Sequence, residues 1–326
     1  GGVALLAARV FGLSALVSYD RDGKLLDLYL ILGSILLLIT GAIVLFTGSI
    51  RKGLSYALLI SLAIFLMAPF VWMVLISLHP SKTPIPPIAE ILPRGPTGEI
   101  QPSWGNYKFV LFHENLPVSR FFFNTVFVTV SVVIGQLFVT SLAAYGFARL
   151  KFRGQNLVFW LFLGSMMFAG PVTQIPVYLF IKTLGWLDTY AALIVPGVSS
   201  AFTVFMLRQF FAQIPSELDE AARIDGAGDF RIYWKVILPL SKAALATAAA
   251  FTFFGVWTDF FNPLIYTNTT EMRTLEVGLS IFKNSYGGSN WPLQMTAAVI
   301  VMTPLLVVFL FVQRYFTRGI TLGSIK

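Results

Sequence analysis

Long apolar segments are the feature that most limits how this chain can fold. Each reaches roughly the 20 residues that a helix needs to cross the hydrocarbon core of a bilayer. From residue 54 onward, six such segments lie near residues 54–78, 121–148, 157–181, 188–207, 241–266 and 293–312. Because lipid offers no hydrogen-bonding partners to the backbone, these segments are expected to be helical. The chain is therefore predicted to be an all-α polytopic membrane protein.

Two further apolar segments precede these six and leave the number of crossings open. Residues 28–48 form a clear span, whereas residues 3–19 are barely long enough and contain Arg9. If both segments cross the membrane, the chain has eight membrane helices and both of its ends lie on one side. If residues 3–19 do not cross, there are seven helices and the N-terminus lies on the opposite side.

The composition agrees with this class and argues against several functions. Only 12% of the residues are charged, about half the fraction that soluble domains carry. The net charge of +8 comes from basic residues beside the apolar segments. Since no basic soluble domain is evident, no nucleic-acid partner is expected. The sequence contains no Cys, which excludes disulfides and thiolate metal sites.

The basic residues also predict which side of the membrane each loop occupies. If the helices cross alternately, the loops that hold Arg51, Arg149, Arg153 and segment 215–240 all fall on one side. Lys and Arg are enriched in cytoplasmic loops, so this side is predicted to be the cytoplasm. Segment 215–240 and the C-terminus are then cytoplasmic, in a multi-pass protein of the cell (inner or plasma) membrane.

Segment 215–240 is polar and lies between two apolar segments. Ser216, followed three residues later by Asp219, predicts a capping box at the start of a helix. Gly226 predicts a turn, because glycine accepts a positive φ without steric cost. A second short helix is expected over residues 229–237. A surface hairpin of helices with an apolar side needs a partner, although a solvated loop is the alternative interpretation.

Pro239 is expected to end or kink the second helix of this segment. It also belongs to a longer pattern, in which Glu-Ala-Ala is followed by Asp-Gly-Ala and then by Leu-Pro. The residues of the pattern are Glu220, Ala221, Ala222, Asp225, Gly226, Ala227, Leu238 and Pro239. The pattern resembles the EAA loop of permeases from binding-protein-dependent ABC importers, with Val236 where the family has Ile. The resemblance implies that this loop is a coupling helix that docks in a groove of a separate ATPase subunit.

Further motifs resemble the carbohydrate-type permeases, specifically the smaller membrane subunit of maltose-type transporters. They are Trp104–Tyr107, Phe122–Thr125, Gln313–Phe316 and the Gly-rich tail 319–326. The resemblance implies a six-helix ABC importer permease core plus one or two extra N-terminal helices. Residues 1–50 would be an N-terminal membrane extension, and residues 51–326 the transmembrane domain with its cytoplasmic coupling loop.

The same resemblance implies a set of partners. These are a second permease subunit, expected to be a different chain and so to form a heterodimer, two ATPase subunits, an extracytoplasmic solute-binding protein, a small sugar-like substrate and the lipid bilayer. ATP and Mg would be used by the partner ATPase, and no cofactor is expected on this chain. The sequence has no Gly-x-x-x-x-Gly-Lys-Ser/Thr motif, the usual phosphate-binding loop. His79 and His113 lie far from any carboxylate cluster, so no metal site is predicted.

Polar residues within the apolar segments are candidates for a substrate path, because such groups usually face protein or a water-filled cavity. The candidates are Asn124, Gln174, Trp257, Asp259 and Asn262. Gln174 lies between two prolines, where a broken helix is expected, and Asn262-Pro263 is expected to break the fifth core helix. The alternative, favoured for any single residue, is that these groups bond neighbouring helices or loosened backbone.

Two other classes of function remain to be compared with an ATP-driven importer that works by alternating access. A secondary transporter or channel would need intramembrane acids or an inverted repeat, and the sequence offers Asp259 and no convincing repeat. A membrane-embedded enzyme would need a nucleophile and base or a metal site within a span. The solute stays open among a disaccharide, an oligosaccharide, a polyol and a glycerol-phosphate type compound.

Overall fold

The computed structural model describes residues 50–81, 92–94, 98–112, 117–168, 170–286 and 290–322. Within these residues the secondary structure is helical, apart from one isolated β-bridge between Arg94 and Ile100. The predicted spans at 3–19 and 28–48, and with them almost all of the predicted N-terminal extension, lie outside the described residues.

The helices are numbered here in chain order. They are α1 (Ile50–Ser77), α2 (Gly105–Phe112), α3 (Val118–Arg149), α4 (Gln155–Gly164), α5 (Gly170–Thr183), α6 (Tyr190–Ile194), α7 (Ala201–Gln213), α8 (Glu217–Ile224), α9 (Asp229–Ile232), α10 (Leu238–Leu240), α11 (Lys242–Trp257), α12 (Phe261–Tyr266), α13 (Leu275–Tyr286) and α14 (Trp291–Leu322). Short 3₁₀ turns cover Ser165–Met167, Pro196–Val198 and Thr270–Met272, and a π-helical turn covers Tyr233–Ile237.

Six membrane crossings can be built from the described residues. Four are single spans by length and hydropathy: Leu58–Ser77, Val118–Arg149, Tyr190–Gln213 and Trp291–Arg314. Two more are bent pairs, Gln155–Met167 with Val172–Thr183 and Asp229–Leu240 with Lys242–Trp257. The six correspond in order to the six segments predicted from residue 54 onward. The predicted class, an all-α polytopic membrane protein, is confirmed.

The helix breaks expected at Gln174 and at Asn262-Pro263 lie at other positions than predicted. The third crossing bends by 103° between its two helices, and the 3₁₀ turn Ser165–Met167 ends its first half, ahead of Gln174. In the fifth, α11 already ends at Trp257, so Asn262-Pro263 does not break it. Pro263 instead lies in the first turn of α12. A first-turn residue needs no intrahelical N–H partner, which is why proline is tolerated there.

Contacts divide the chain into two units, residues 1–72 and residues 73–326. In the described part of the first unit, large apolar side chains such as Leu58 and Phe65 are exposed. An apolar surface of this kind is expected where lipid covers the helix.

The second unit holds three buried apolar clusters spaced along α3. One cluster, near the start of α3, joins Phe121 to Trp257 and Leu293. A second lies around Val128 and Val132. The third surrounds the end of α3 and includes side chains of α7, α9 and α11. Helix α3 is 32 residues long, or about 48 Å at 1.5 Å per residue, and therefore links two well-separated ends of the bundle.

Glycines allow close packing against α3 at two levels along its length. A Cβ added to Gly197 would lie 2.9 Å from a methyl carbon of Val132, and one added to Gly135 would lie 2.8 Å from a methyl carbon of Val198. Nearer the start of α3, a Cβ at Gly278 of α13 would lie 2.1 Å from Cδ2 of Phe121. Small residues at helix contacts let backbones approach in this way.

We expect Gly278→Ala to destabilise the protein by about 1–3 kcal/mol, because the added methyl group has to displace the buried Phe121 ring. Thermal unfolding of the detergent-solubilised protein measures this as a lower midpoint. Gly255→Ala is the matched control, since Gly255 is also helical and nothing lies within 4 Å of its added Cβ. Equal midpoints for the two variants would contradict the packing of α13 on α3.

Candidate functional site

Helix α8 ends in a glycine-dependent cap that follows the Glu-Ala-Ala…Gly spacing. The Gly226 N–H donates to the Arg223 carbonyl at 3.0 Å, and the Ala227 N–H donates to the Ala222 carbonyl at 2.9 Å. These two bonds define a Schellman motif, in which the residue after the cap takes a left-handed conformation. Gly226 has φ +79°, so the predicted turn is confirmed. Ala222 and Ala227 are half-buried and pack against the cluster at the end of α3.

The predicted capping box at Ser216 was wrong. The Ser216 side chain makes no capping hydrogen bond, and the first turn is closed by backbone bonds to its carbonyl from Asp219 and Glu220. Asp219 is buried, with its carboxylate 3.5 Å from Nε of Arg149. The Asp219 carboxylate, which the sequence pattern had assigned to the helix cap, therefore pairs with Arg149, a residue distant in sequence.

Two arginines join the ends of α3 and α7 reciprocally. Arg149, the last residue of α3, donates from Nη2 to the carbonyls of Phe211 at 2.8 Å and Ile214 at 2.5 Å. Arg208 of α7 donates from Nε to the Phe147 carbonyl at 3.1 Å. The last carbonyls of a helix lack intrahelical partners and carry the negative end of its dipole, so cations are favourable there. Arg149 also reaches Asp219, and it thereby fixes α8 to both helix ends.

The segment after Gly226 is part of the core rather than a free loop. Ile232, Tyr233 and Ile237 are buried among side chains of α3, α7 and α11. The Tyr233 hydroxyl lies 2.8 Å from Oγ of Ser141, and the Tyr145 hydroxyl donates to the Asp229 carbonyl at 3.1 Å. The second helix of the hairpin is thus held by α3 along its length.

The kink predicted at Pro239 is present, but it falls just after Leu240. The chain stays helical through Leu238–Leu240 and turns afterwards, with an 80° bend between Asp229–Leu240 and Lys242–Trp257. Leu238 is half-buried in the cluster at the end of α3, whereas Pro239 is exposed. Pro239 follows a π-helical turn, where the regular i−4 bonding is already interrupted.

The hairpin exposes apolar and acidic side chains together. Ile224 is 87% exposed, Phe230 66% and Trp234 54%, and the rings of Phe230 and Trp234 stack at 6.4 Å. Glu220, Ala221 and Asp225 are also exposed. The sequence interpretation expected α8 to bury an apolar side but did not single out the two aromatics. Their i, i+4 spacing in a polar segment was the signal that could have identified them.

Two of the predicted substrate-path residues hold the opposite end of the bundle together. Asn124 is fully buried, donates to the carbonyls of Glu271 and Arg273, and accepts from the Tyr190 hydroxyl at 2.7 Å. Trp257 is buried and donates from Nε1 to the Val301 carbonyl at 3.0 Å. Their polar groups are used by neighbouring helices and loops, as the alternative interpretation expected.

The other three candidates form a chain of side-chain hydrogen bonds. Gln174 donates from Nε2 to Oδ1 of Asn262 at 2.5 Å, and Asn262 donates from Nδ2 to Oδ2 of Asp259 at 2.7 Å. Asp259 and Asn262 line a cavity of about 150 Å³ beside α3. The structure therefore joins these three residues in one chain of hydrogen bonds, in which Asn124 and Trp257 take no part.

A loop contact lies at this same end of the bundle. Asp188 has φ +60°, and its Oδ1 accepts the backbone N–H groups of Asn268 at 2.8 Å and Thr269 at 3.0 Å. Burial alone would raise the pKa of Asp188, but these hydrogen bonds hold its pKa below the usual value. Because the folded pKa is lowered, the contact stabilises the fold at neutral pH and is lost as the pH falls through that pKa.

The described residues contain no group of three His, Asp or Glu side chains placed to hold a metal ion. His79 is buried, with its Nδ1 3.0 Å from the Leu75 carbonyl. His113 lies outside the described residues.

Known proteins match this chain over most of its length. The family model described as "Binding-protein-dependent transport system inner membrane component" matches residues 41–322. A probable ABC transporter permease of Bacillus subtilis, YurM, is 34% identical over 226 residues, which is 69% of this chain and 75% of the relative. The trehalose/maltose transport system permease MalG of Thermococcus litoralis is 33% identical over 271 residues, which is 82% of this chain and 94% of the relative.

A crystal structure is also similar. It is that of a bacterial ABC transporter involved in the import of the acidic polysaccharide alginate, and one of its chains matches with a TM-score of 0.70 at 25% identity. The match covers 82% of this chain and 96% of that chain.

We expect Arg149→Met to lower stability by about 3–5 kcal/mol, because it leaves the buried Asp219 carboxylate without its cation and two carbonyls without donors. Thermal unfolding of the detergent-solubilised protein is the measurement. Arg223→Met is the matched control, because the Arg223–Asp229 ion pair is about half exposed and such pairs contribute about 0–1 kcal/mol. Loss of stability in both variants alike, or in neither, would contradict the role assigned to Arg149.

Proposed function

The chain belongs to the family of binding-protein-dependent transport system inner membrane components, and from that premise we propose that it is the membrane-spanning permease subunit of an ATP-driven importer for a sugar or sugar-like solute. One relative is a trehalose/maltose transport system permease, and the similar crystal structure is that of a transporter involved in alginate import. Both favour a carbohydrate as the solute. An uptake screen of sugars would identify the solute within that class.

The single observation that carries the proposal is the hairpin of α8 and α9. It is rigidly attached on one side and presents exposed Ile224, Phe230 and Trp234 on the other. Large apolar side chains exposed next to charged ones are typical of a protein-interaction site. The acidic residues of α8 argue against burial in lipid, because charge in hydrocarbon is costly. The proposed occupant of this surface is a separate ATPase subunit.

The attachment of the hairpin suggests how the ATPase would drive transport. A displacement of docked α8 would pass through Arg149 to the ends of α3 and α7. It would also pass through the buried second half of the hairpin to α11. When the ATPases close on ATP, these helices would move as one body and turn the pathway from one side of the membrane to the other, which is alternating access.

The partners follow from the same scheme. A second permease subunit, proposed to be a different chain, would complete the pathway, and two ATPase subunits would bind and hydrolyse ATP with Mg. No cofactor is proposed for this chain. The hairpin and the C-terminus would face the cytoplasm, and an extracytoplasmic solute-binding protein would deliver solute to the opposite end of the bundle. The distance between Asn124 and Arg149 along α3, about 38 Å, is consistent with the two functions lying on opposite faces of a bilayer.

Ile224→Ser should reduce co-purification of the ATPase subunit with the assembled transporter by about fivefold or more. The substitution removes an apolar side chain that the fold itself leaves exposed but that the proposed interface would bury. Affinity purification of this chain followed by quantitation of the ATPase is the measurement. Ile100→Ser is the matched control, since Ile100 is 65% exposed but lies outside the hairpin. Full retention of the ATPase by Ile224→Ser would exclude this surface as the docking site.

Substitutions at Gly226 should lower the amount of sugar transported per ATP hydrolysed, least for Asn, more for Ala and most for Pro. Of the three, Asn tolerates the left-handed conformation best, whereas for Ala this conformation costs roughly 1–2 kcal/mol. Pro cannot adopt it, and it also lacks the N–H that bonds the Arg223 carbonyl. Uptake and ATP hydrolysis by the complete transporter in proteoliposomes give this ratio. Nothing lies within 4 Å of a Cβ at this position, so an effect that followed side-chain size rather than backbone preference would contradict the explanation.

A further inference from the structure

A cavity with both polar and apolar lining residues lies beside α3 at the end of the bundle opposite the hairpin. It has a volume of about 150 Å³ and is lined by residues of α3, α6, α11 and α12 and of the turns between them. Pro196, on its rim, is exposed, whereas Thr129, on α3, is fully buried. The cavity therefore leads from the surface towards the middle of α3.

Two of the lining hydroxyl groups have no hydrogen-bond partner. They are the Oγ1 atoms of Thr129 and Thr274, in residues that are 0% and 5% exposed. A buried hydroxyl without a partner costs about 1–3 kcal/mol. In contrast, Oγ1 of the neighbouring Thr125 is satisfied, since it donates to the Phe121 carbonyl and accepts the Leu275 N–H. A hydrogen-bonding molecule that reached these two hydroxyls from the cavity would remove this cost.

The carboxyl group of Asp259 supplies strong acceptors beside these two hydroxyls. Asn262 donates to both Asp259 oxygens, at 2.7 and 3.2 Å, and is itself held by Gln174. A carboxylate has about four acceptor sites, so Asp259 keeps capacity for a ligand while its orientation is fixed. The rest of the lining is largely apolar and includes Val128, Leu193 and Tyr266.

This combination of groups matches one class of ligand. Sugars present hydroxyl groups at the edge of a ring and C–H bonds on its faces, and such ligands need a few placed polar groups among apolar and aromatic walls. A cavity of about 150 Å³ holds a six-membered ring such as benzene, so the ring of a sugar fits here if its outer substituents extend past the exposed rim. We infer that the cavity binds one sugar ring of the transported solute through Asp259, Thr129 and Thr274. This inference rests on the proposed function.

The test uses the complete transporter, with its partner permease, ATPases and binding protein, in proteoliposomes. Uptake of radiolabelled trehalose, maltose and an alginate trisaccharide is measured for wild type, Asp259→Asn and Thr129→Val. Both substitutions preserve shape: Thr129→Val removes the hydroxyl, and Asp259→Asn removes the charge and replaces one acceptor oxygen by a donor. Thr303→Val is the matched control, because Thr303 is exposed, lies outside the cavity and has its hydroxyl bonded within its own helix.

We expect Thr129→Val to raise the KM for uptake about three- to tenfold, the equivalent of one hydrogen bond, and Asp259→Asn to raise it at least tenfold. The maximal rate should stay within about twofold, and Thr303→Val should match the wild type. An unchanged KM in both cavity variants, or a lower maximal rate with unchanged KM, would overturn the inference and leave the proposed function intact. Absence of ATP-dependent uptake by the wild type across a screen of disaccharides, oligosaccharides, polyols and glycerol phosphates would overturn both.

A second measurement does not depend on transport kinetics. Because the sequence contains no Cys, Thr274→Cys introduces the only thiol of this chain into the cavity. The transported sugar should slow its modification by methanethiosulfonate ethylammonium about threefold or more, and sucrose, if not transported, should not. Modification at the same rate with and without the transported sugar would mean that water alone fills the cavity.

Discussion

The reciprocal capping of α3 and α7 by two arginines is the interaction on which the position of the polar hairpin depends. Arg149 of α3 bonds carbonyls at the end of α7, and Arg208 of α7 bonds a carbonyl at the end of α3. Both helices end together, so their unsatisfied carbonyls and dipoles would repel without cations between them. Asp219 completes the arrangement, because its carboxylate is the counter-charge for Arg149 and belongs to α8.

The Glu-Ala-Ala…Gly spacing acquires a geometric meaning in this setting. Ala222 and Ala227 are the two ends of a Schellman bond, and Gly226 is the residue whose backbone makes that bond possible. Small residues at 222 and 227 let the turn pack on the core, while Glu220 and Ala221 stay exposed. One short stretch of sequence thus specifies both how the hairpin is attached and which part of it stays exposed.

Sequence reasoning reached the features that depend on composition and local chemistry. Hydropathy located the six crossings because each had to supply a bilayer-length apolar helix, and the glycine turn followed from backbone sterics. One error came from a long-range contact, because Asp219 pairs with Arg149 rather than capping its own helix. The break expected at Gln174 is present but lies earlier, after the 3₁₀ turn Ser165–Met167. The hydroxyl groups of Thr129 and Thr274 lack hydrogen-bond partners because of the way the helices pack around them, so no sequence pattern could have identified them.

The most direct test of the account is the accessibility of a single thiol at Ala221→Cys, on the exposed part of α8, in membrane vesicles that contain the complete transporter. A membrane-impermeant maleimide should label this thiol in inside-out vesicles only after the ATPase subunits have been stripped off, and should not label it in right-side-out vesicles. Labelling from the outer face, or equal labelling of inside-out vesicles with and without the ATPases, would contradict a cytoplasmic hairpin covered by a separate ATPase subunit.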